Sequence, residues 1–589
     1  MHQRYLLIVS DKRQQPDSAD IRAKMTEYFR ASLCGLEVAC FSDTLIPGPW
    51  LAIENGMVDS QVITITEGFF NAQLSGDRRI QPGTYNQITI DGQAGEVVLR
   101  NDVLASLPCF FAFSGNQLAI ANNLSLIQTY FRLTLDMSGV AQRYLLAGWT
   151  IDERTIFGDA YIAAGGSEYT FFNQEKWRFS RKRLTKSWTE TTHVDSGRLV
   201  DRTCELWDQA ITRTAKAADG PIGIMLSGGL DSRMVAAGLK HHDVPLICLT
   251  HGNLQGDEAR IAEEVCNALG ATRITNALDN LFPFEKLNIP RIQEILGGLF
   301  NPIWDSSGAL LFTRGIRHFT SGAGLEGLLG GRIDSDPVRR FIKNLITPIP
   351  GLLPQKKVTE ADILKLAQPY VAVAAMRRRN YTQLLAQPFR DIIEDYARDI
   401  LNPIQERLAL MAKDGNPTKD QLAERFVYEQ SEKQVLNLQE LQLAIYGKPH
   451  FPTYDLDLVE YLSNVPPAMK YDHHLYYQII NRLYPKMAAI TVTNLGTPVN
   501  RSRLSLEVIR AFRILQKKRL SSWVNFEDWI AHNGRLEQYM DCFLNYEHFF
   551  DPDQIIRYFT EVRDGRRRLY DGNETLSFLS LAMAIGVMK

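Results

Sequence analysis

The spacing of hydrophobic and polar positions changes several times along the chain, and each change predicts an element. Before residue 186 the pattern is mostly short and alternating, as in Gln61 to Thr66 and in Gln87 to Ile90 ahead of an Asp91-Gly92 turn. Alternation with turn residues at its ends predicts strands joined by tight turns, hence a layered β-rich domain over 1–185. A polar stretch at 186–196, including Ser187 to Thr192, predicts a linker. The period then becomes helical. Val200, Cys204, Trp207 and Ile211 recur at steps of four, three and four, which places them on one stripe of a helix. An apolar run (Ile222, Ile224, Met225), a Gly pair and a second helical stripe (Met234, Val235, Leu239) predict strand, tight turn and helix. Another apolar run, Leu246 to Thr250, precedes a helix carrying Ile261, Val265 and Leu269 and stopped by Gly270. This is a βαβαβ series, which builds a parallel sheet with right-handed crossovers and ligands beyond the strands' carboxyl ends. From 340 to 589 the period is mainly helical.

Length and composition change this picture little. With 589 residues, 45% hydrophobic and 22% charged, the chain is long enough for two or more cores, and two domains are predicted, 1–185 and 196–589. A net charge of −2 gives no global field for nucleic acid or an anionic membrane, so neither is expected as a partner. The seven cysteines are scattered, without a C-x-x-C pair, which argues against a disulfide framework or thiolate zinc site and suits a reduced cytoplasm. The apolar run after Met1 is too short for a signal peptide. The closing apolar segment, Leu576 to Met588, falls short of the roughly 18 residues of a membrane span and predicts a core helix.

Candidate chemistry concentrates in Leu226, Ser227, Gly228, Gly229, Leu230, Asp231 and Ser232. The glycines let backbone N–H groups approach a ligand, and the following helix adds unpaired donors and a partial positive charge. That geometry binds an anion. Ser227 and Ser232 add hydroxyls, and Asp231 supplies the hard oxygen that Mg²⁺ requires beside a polyphosphate. The G-x-x-x-x-G-K-[ST] loop is absent from this site. The strand-end segment Thr250-His251-Gly252 is the expected seat of adenine.

The segment from Ser227 to Ser232 resembles the S-G-G-x-D-S loop of ATP pyrophosphatases, and Ser321, Gly322, Ala323, Gly324, Leu325, Glu326 and Gly327 resemble the S-G-E-G-x-D-E loop of asparagine synthetase-like enzymes. In the first half, Gly95 to Asp102, Leu107 to Phe111, Gln117 to Ala121 and Glu153 to Phe157 resemble the same family's glutamine-hydrolysing domain. The resemblance implies an N-terminal Ntn-type, glutaminase-like layered domain followed by a doubly wound parallel-sheet ATP pyrophosphatase domain rich in helices. It implies ATP and Mg²⁺, with Ser227, Gly228, Gly229, Ser232, Thr250, Ser321, Gly322 and Gly324 around the nucleotide and Asp231 and Glu326 as metal ligands. Pro452 to Asp455 and Val465 to Lys470 resemble the family's following turn and loop, after which a lysine assists pyrophosphate release; Lys470 and His474 are the candidates here.

Three departures shape the functional expectation. Position 2 is His2 where the family exposes its nucleophilic cysteine, Ala323 replaces a family Glu, and Gly327 replaces the next acid. Within the family, β-lactam synthetases and lasso-peptide cyclases also lack that cysteine. The expected function is therefore an ATP-dependent ligase that activates a substrate carboxylate as an acyl-adenylate for attack by an amine, without glutaminase activity, alone or beside partner biosynthetic proteins. An amidotransferase using ammonia or glutamine, and a non-catalytic ATP-binding scaffold, are the alternatives. A tRNA-modifying pyrophosphatase would bring catalytic cysteines and a nucleic-acid surface. The basic runs Arg377-Arg378-Arg379, Lys517-Lys518-Arg519 and Arg566-Arg567-Arg568 read as solvated helix faces.

Overall fold

A computed structural model describes residues 4–11, 25–33, 36–42, 51–55, 61–71, 80–146, 148–173, 176–186, 188, 196–277, 302–329, 357–415, 417–430, 437–516, 536–567, 578–579, 581–582 and 585–586. Among the described residues the chain is mixed α/β, with two antiparallel sheets and one parallel sheet. The first sheet contains β1 (Tyr5–Asp11), β2 (Thr26–Leu33), β3 (Leu36–Ser42), β8 (Phe110–Ser114), β9 (Gln117–Ala121) and β10 (Ala160–Ile162), in the order β10-β8-β9-β1-β3-β2. The second contains β4 (Leu51–Asn55), β5 (Val62–Phe70), β6 (Gly83–Asp91), β7 (Glu96–Asn101), β11 (Ser167–Asn173) and β12 (Trp177–Arg183), in the order β12-β11-β7-β6-β5-β4.

β1 shows why the layers form. Tyr5, Leu7 and Val9 join the core between the sheets, where they meet Ile65, Ile88, Leu99 and Phe171. Leu6 and Ile8, pointing the other way by the two-residue period of a strand, join a second core with Leu124, Ile127, Val140 and Tyr144. Both faces are covered, so β1 reads as a continuous apolar run. At the β6–β7 hairpin, Asp91 Oδ1 accepts from the N–H groups of Gln93 (2.9 Å) and Ala94 (3.0 Å), and Gly95 takes the left-handed φ of +67° that closes the turn.

The parallel sheet follows the βαβαβ expectation and extends it. β13 (Ile222–Met225), β14 (Leu246–Gly252) and β15 (Thr272–Ala277) are joined by two short strands, β16 (His318–Thr320) and β17 (Lys448–His450). The order is β15-β14-β13-β16-β17, every pair parallel. Successive strands step outward to β15, then the chain returns to the other side of β13. The strand order therefore reverses between β13 and β16, and the carboxyl ends at such a reversal are where these sheets place ligands. The helix Asp257–Leu269 ends at Gly270, whose φ of +59° permits the left-handed cap.

The helices after residue 360 do not stand apart from the first half. Leu366, Ile393, Leu408 and Phe559 belong to the same core as Leu6, Ile8 and Ile127. Arg377 is a correction to the solvated-face reading: it is buried, donates to the Tyr144 carbonyl at 2.7 Å, and lies 4.8 Å from the Phe578 ring. A planar guanidinium can bury its face against an aromatic ring while its N–H groups remain paired. Lys517 to Arg519 and Arg568 lie outside the described residues. So does most of the expected linker, although Trp188 within it is buried, its backbone N–H donating to Ser463 Oγ at 3.3 Å. Among the described residues no helix is long and apolar enough to cross a membrane.

Candidate active site

The first Gly-rich loop leaves β13 at Leu226, whose N–H continues the sheet by donating to the Leu249 carbonyl at 2.8 Å. The Thr250 hydroxyl closes the other side, donating to the Leu226 carbonyl at 3.2 Å. Within the loop Ser232 Oγ accepts from the Ser227 N–H at 3.1 Å, and Ser227 Oγ accepts from the Gly229 N–H at 3.2 Å. The helix Asp231–His241 begins at once, with Leu230 at its N-cap and no capping side chain. A helix start of this kind presents backbone donors to an anion.

Arg233 fixes the loop from behind. It is fully buried, and its guanidinium donates to the carbonyls of Met487 (3.0 Å), Ile490 (2.9 Å), Thr491 (2.8 Å) and Gly228 (3.2 Å). Gly228 is required by close approach, since a Cβ there would sit 2.1 Å from Thr493 Oγ1. No role for Arg233 is legible in the sequence, because an arginine after S-G-G-x-D-S carries no local signal of four carbonyls contributed from residues 228 and 487–491.

The second loop follows β16 and touches the first. A Cβ at Gly322 would lie 2.2 Å from the Ser232 nitrogen, so only glycine lets the backbones meet. Ser321 Oγ accepts from the Ala323 N–H at 3.0 Å, and the Thr453 hydroxyl donates to the Ala323 carbonyl at 2.7 Å. Gly324 takes a φ of +83°, and a Cβ there would sit 2.3 Å from the Tyr454 ring.

These contacts bring Asp231 and Glu326 together. Asp231 Oδ1 accepts from the Tyr476 hydroxyl at 2.8 Å, and the carboxylate also accepts from the Glu326 backbone N–H. Burial, followed by the charge of Glu326, pushes the Asp231 carboxyl up to about 7. Glu326 is exposed, and a 3.0 Å hydrogen bond with His473 Nε2 holds its carboxyl below the usual range. His473 has a left-handed φ of +63° and stacks on Tyr477 with ring centroids 5.9 Å apart. His473 and Tyr476 were missed from sequence; a Tyr-Asp-His-His run does not announce that a left-handed turn aims its first histidine at residue 326.

The two basic candidates sit differently. Lys470 is buried, its Nζ donating to Glu424 at 2.7 Å and to the Leu462 carbonyl at 3.1 Å. His474 contacts Gln478 at 3.1 Å, and burial followed by the neighbouring Arg503 lowers its imidazole to about 4. At the end of β14, His251 Nδ1 lies 3.1 Å from Ser307 Oγ, its ring 5.9 Å from Trp304, and burial lowers it to about 4.

Among the described residues no cluster of three or more His, Cys, Asp or Glu side chains could hold a metal alone. Two hard carboxylates, one destabilised by the other's charge, nevertheless fit Mg²⁺, which characteristically takes one or two carboxylates and completes its shell with phosphate oxygens and water.

In the first half His2 and Cys34 lie outside the described residues. In the Gly95 to Asp102 segment, Arg100 and Asp102 are both engaged within the fold. Arg100 Nε donates to Glu168 at 2.7 Å, and Asp102 accepts from the N–H groups of Leu104, Ser106 and Tyr85. Buried Glu67 accepts from Asn122 (2.7 Å) and Asn86 (2.9 Å), and burial pushes it up to about 7. Cys40 and Cys109 are buried in the intersheet core.

Residues 204–319 match the family model described as asparagine synthase. The match runs through β13, β14 and β15 into β16 and supports an asparagine synthetase-like family, as the loop motifs do. No curated protein matches the chain. Among solved structures, the glutamine phosphoribosylpyrophosphate amidotransferase from B. subtilis, complexed with ADP and GMP, is 8% identical, with a TM-score of 0.20 over 41% of this chain. The chain spans 65% of that protein's length. A structure titled the allosteric regulatory enzyme of purine biosynthesis is 7% identical, with a TM-score of 0.20 over 46% of this chain and 80% of its own. The U34-tRNA thiolase NcsA from Methanococcus maripaludis, with its 4Fe–4S cluster, is 12% identical, with a TM-score of 0.18 over 37% of this chain and 81% of its own. These three likenesses are too distant to bear on function.

Proposed function

We propose that the chain is an ATP-dependent carbon–nitrogen ligase that adenylates a substrate carboxylate and passes the acyl group to an amine, without hydrolysing glutamine. The observation that carries this reading is the convergence of Asp231 and Glu326 from two touching Gly-rich loops at the strand-order reversal. The N–H groups of the first loop and the hydroxyls of Ser227 and Ser232 bind the polyphosphate, while Arg233 holds the loop in the shape that aims them. Thr250, with His251 and Trp304, forms the seat for the purine. A carboxylate oxygen attacks the α-phosphorus and the bond to pyrophosphate breaks. The amine nitrogen then attacks the acyl carbon, the bond to AMP breaks, and the amine proton passes to solvent. Asp231 and Glu326 would hold Mg²⁺, whose charge offsets that developing on the leaving pyrophosphate. His473 keeps Glu326 ionised for that task.

The scaffold alternative is favoured by one observation, the engagement of the Lys470 ammonium by Glu424. Incubating the protein with ATP, Mg²⁺, a carboxylate panel and an amine separates the two: the ligase releases AMP and pyrophosphate only when an acid is present, whereas a scaffold binds ATP and returns it intact.

A further inference from the structure

Beneath the second loop lies a cavity of about 400 Å³ that reaches Asp231 and Glu326. That volume suits a small organic group. Its walls are Leu366, Tyr370, Leu408, Phe426, Val427 and Tyr428, from the helices Glu360–Tyr381, Leu401–Lys413 and Lys419–Phe426 and the residues just after the last. Its roof includes Ala323 and Gly327. These are the two positions where the loop departs from an acidic pattern, so the missing carboxylates coincide with the opening of an apolar space.

The charge pattern narrows the occupant. Among the described residues the cavity is lined by Asp231, Glu326 and Glu424 and by no Lys, Arg or His. Glu424 is neutralised by Lys470 at 2.7 Å. A small acid such as aspartate would bring a second carboxylate that finds no cation there, and an unpaired buried charge is strongly disfavoured. An aromatic or long aliphatic group finds a wall complementary to it.

We infer that this cavity is the acyl-donor subsite and that it selects a carboxylate carrying a bulky apolar group, in preference to a small polar acid such as aspartate. The inference rests on the ligase reading, and Ala423 on the cavity wall is the specificity-determining position. The test uses the full chain with ATP and Mg²⁺ and a series of monocarboxylates: acetate, butyrate, hexanoate and 4-phenylbutyrate, with aspartate alongside. ATP–pyrophosphate exchange reads adenylation. Fluorescence of Trp188, which also lines the cavity, reads binding, with Trp188→Phe as control. One methylene in a fitted apolar pocket discriminates by about tenfold or more. The expected result is therefore at least a tenfold rise in exchange kcat/KM from acetate to 4-phenylbutyrate, loss of that preference in Ala423→Trp, and weaker binding of the aromatic acid by the same variant. Gly327→Leu, at a second lining position outside the buried core, gives the same loss if Ala423→Trp does not fold. Exchange that prefers aspartate or acetate and is indifferent to both substitutions overturns the inference while leaving the ligase reading intact. Fluorescence-detected binding of 4-phenylbutyrate that Ala423→Trp abolishes, without exchange by any acid, upholds the apolar subsite and overturns the ligase reading. Absence of both signals overturns both.

Discussion

The Tyr476 hydroxyl donates to Asp231 Oδ1 at 2.8 Å, tying the helix His474–Leu483 to the first residue of the helix that follows the Gly228-Gly229 loop. The bond lowers an Asp231 pKa that burial and Glu326 have raised to about 7. Tyr476→Phe removes the donor, so the pKa moves further up. The acid limb of the pH–rate profile for pyrophosphate release should shift to higher pH, while a variant profile superimposable on the parent's would detach Asp231 from the rate.

Asp231→Asn removes the carboxylate proposed to hold Mg²⁺ and should lower turnover about a thousandfold or more. The same change should affect stability with a definite sign. Because the folded carboxyl titrates near 7, above its unfolded value, the folded state binds that proton more tightly, and its contribution is lost as pH rises through about 7. The asparagine variant lacks this loss. Its Tm advantage over the parent should grow between pH 5 and pH 8, which thermal melts at the two values would show.

Mg²⁺ must compete with the proton on Asp231. With a pKa of about 7, apparent Mg²⁺ affinity should be about tenfold weaker at pH 6 than at pH 8, since ligands bind metal in their deprotonated form. Isothermal titration in the presence of a non-hydrolysable ATP analogue measures it; an affinity flat across that range would remove Asp231 from the metal site.

Arg233 supports four carbonyl oxygens from the middle of the fold. Arg233→Met leaves buried acceptors unpaired and should cost about 2–4 kcal/mol in urea unfolding. It should also weaken ATP binding by loosening Gly228. Arg233→Lys should rescue little, since one ammonium cannot reproduce the planar fork.

The chain should not hydrolyse glutamine. Thioester chemistry needs an activated nucleophile beside a base, and Cys40 and Cys109, on the first antiparallel sheet and next to it, are buried in the intersheet core. Incubation with glutamine, ATP and Mg²⁺ should release no glutamate above the uncatalysed rate. Glutamate release that His2→Ala abolishes would restore a glutamine-dependent amidotransferase.

Much of this architecture is written locally. The strand before Leu226, the Gly228-Gly229 turn and the stop at Gly270 each follow from neighbouring residues, because a tight turn or helix end imposes its own chemistry on the sequence. The short strands β16 and β17 were not legible, since three residues carry no period. The acid pair could be placed on its two loops by motif, but its environment could not. Tyr476, His473 and Arg233 act on residues 245, 147 and up to 258 positions away, and nothing in their own surroundings encodes that distance. Arg377 failed for a related reason: its burial depends on Tyr144 and Phe578, which only the folded chain brings to it.

The central claim is that ATP is cleaved between its α- and β-phosphates, driven by a substrate carboxylate and assisted by Asp231. The most direct measurement follows α-³²P-labelled ATP incubated with the protein, Mg²⁺ and an apolar carboxylate in the presence of an amine. The account predicts labelled AMP with stoichiometric pyrophosphate, dependent on the acid and lost in Asp231→Asn. Labelled ADP with inorganic phosphate, or AMP formed equally well by the Asp231→Asn protein, would contradict it.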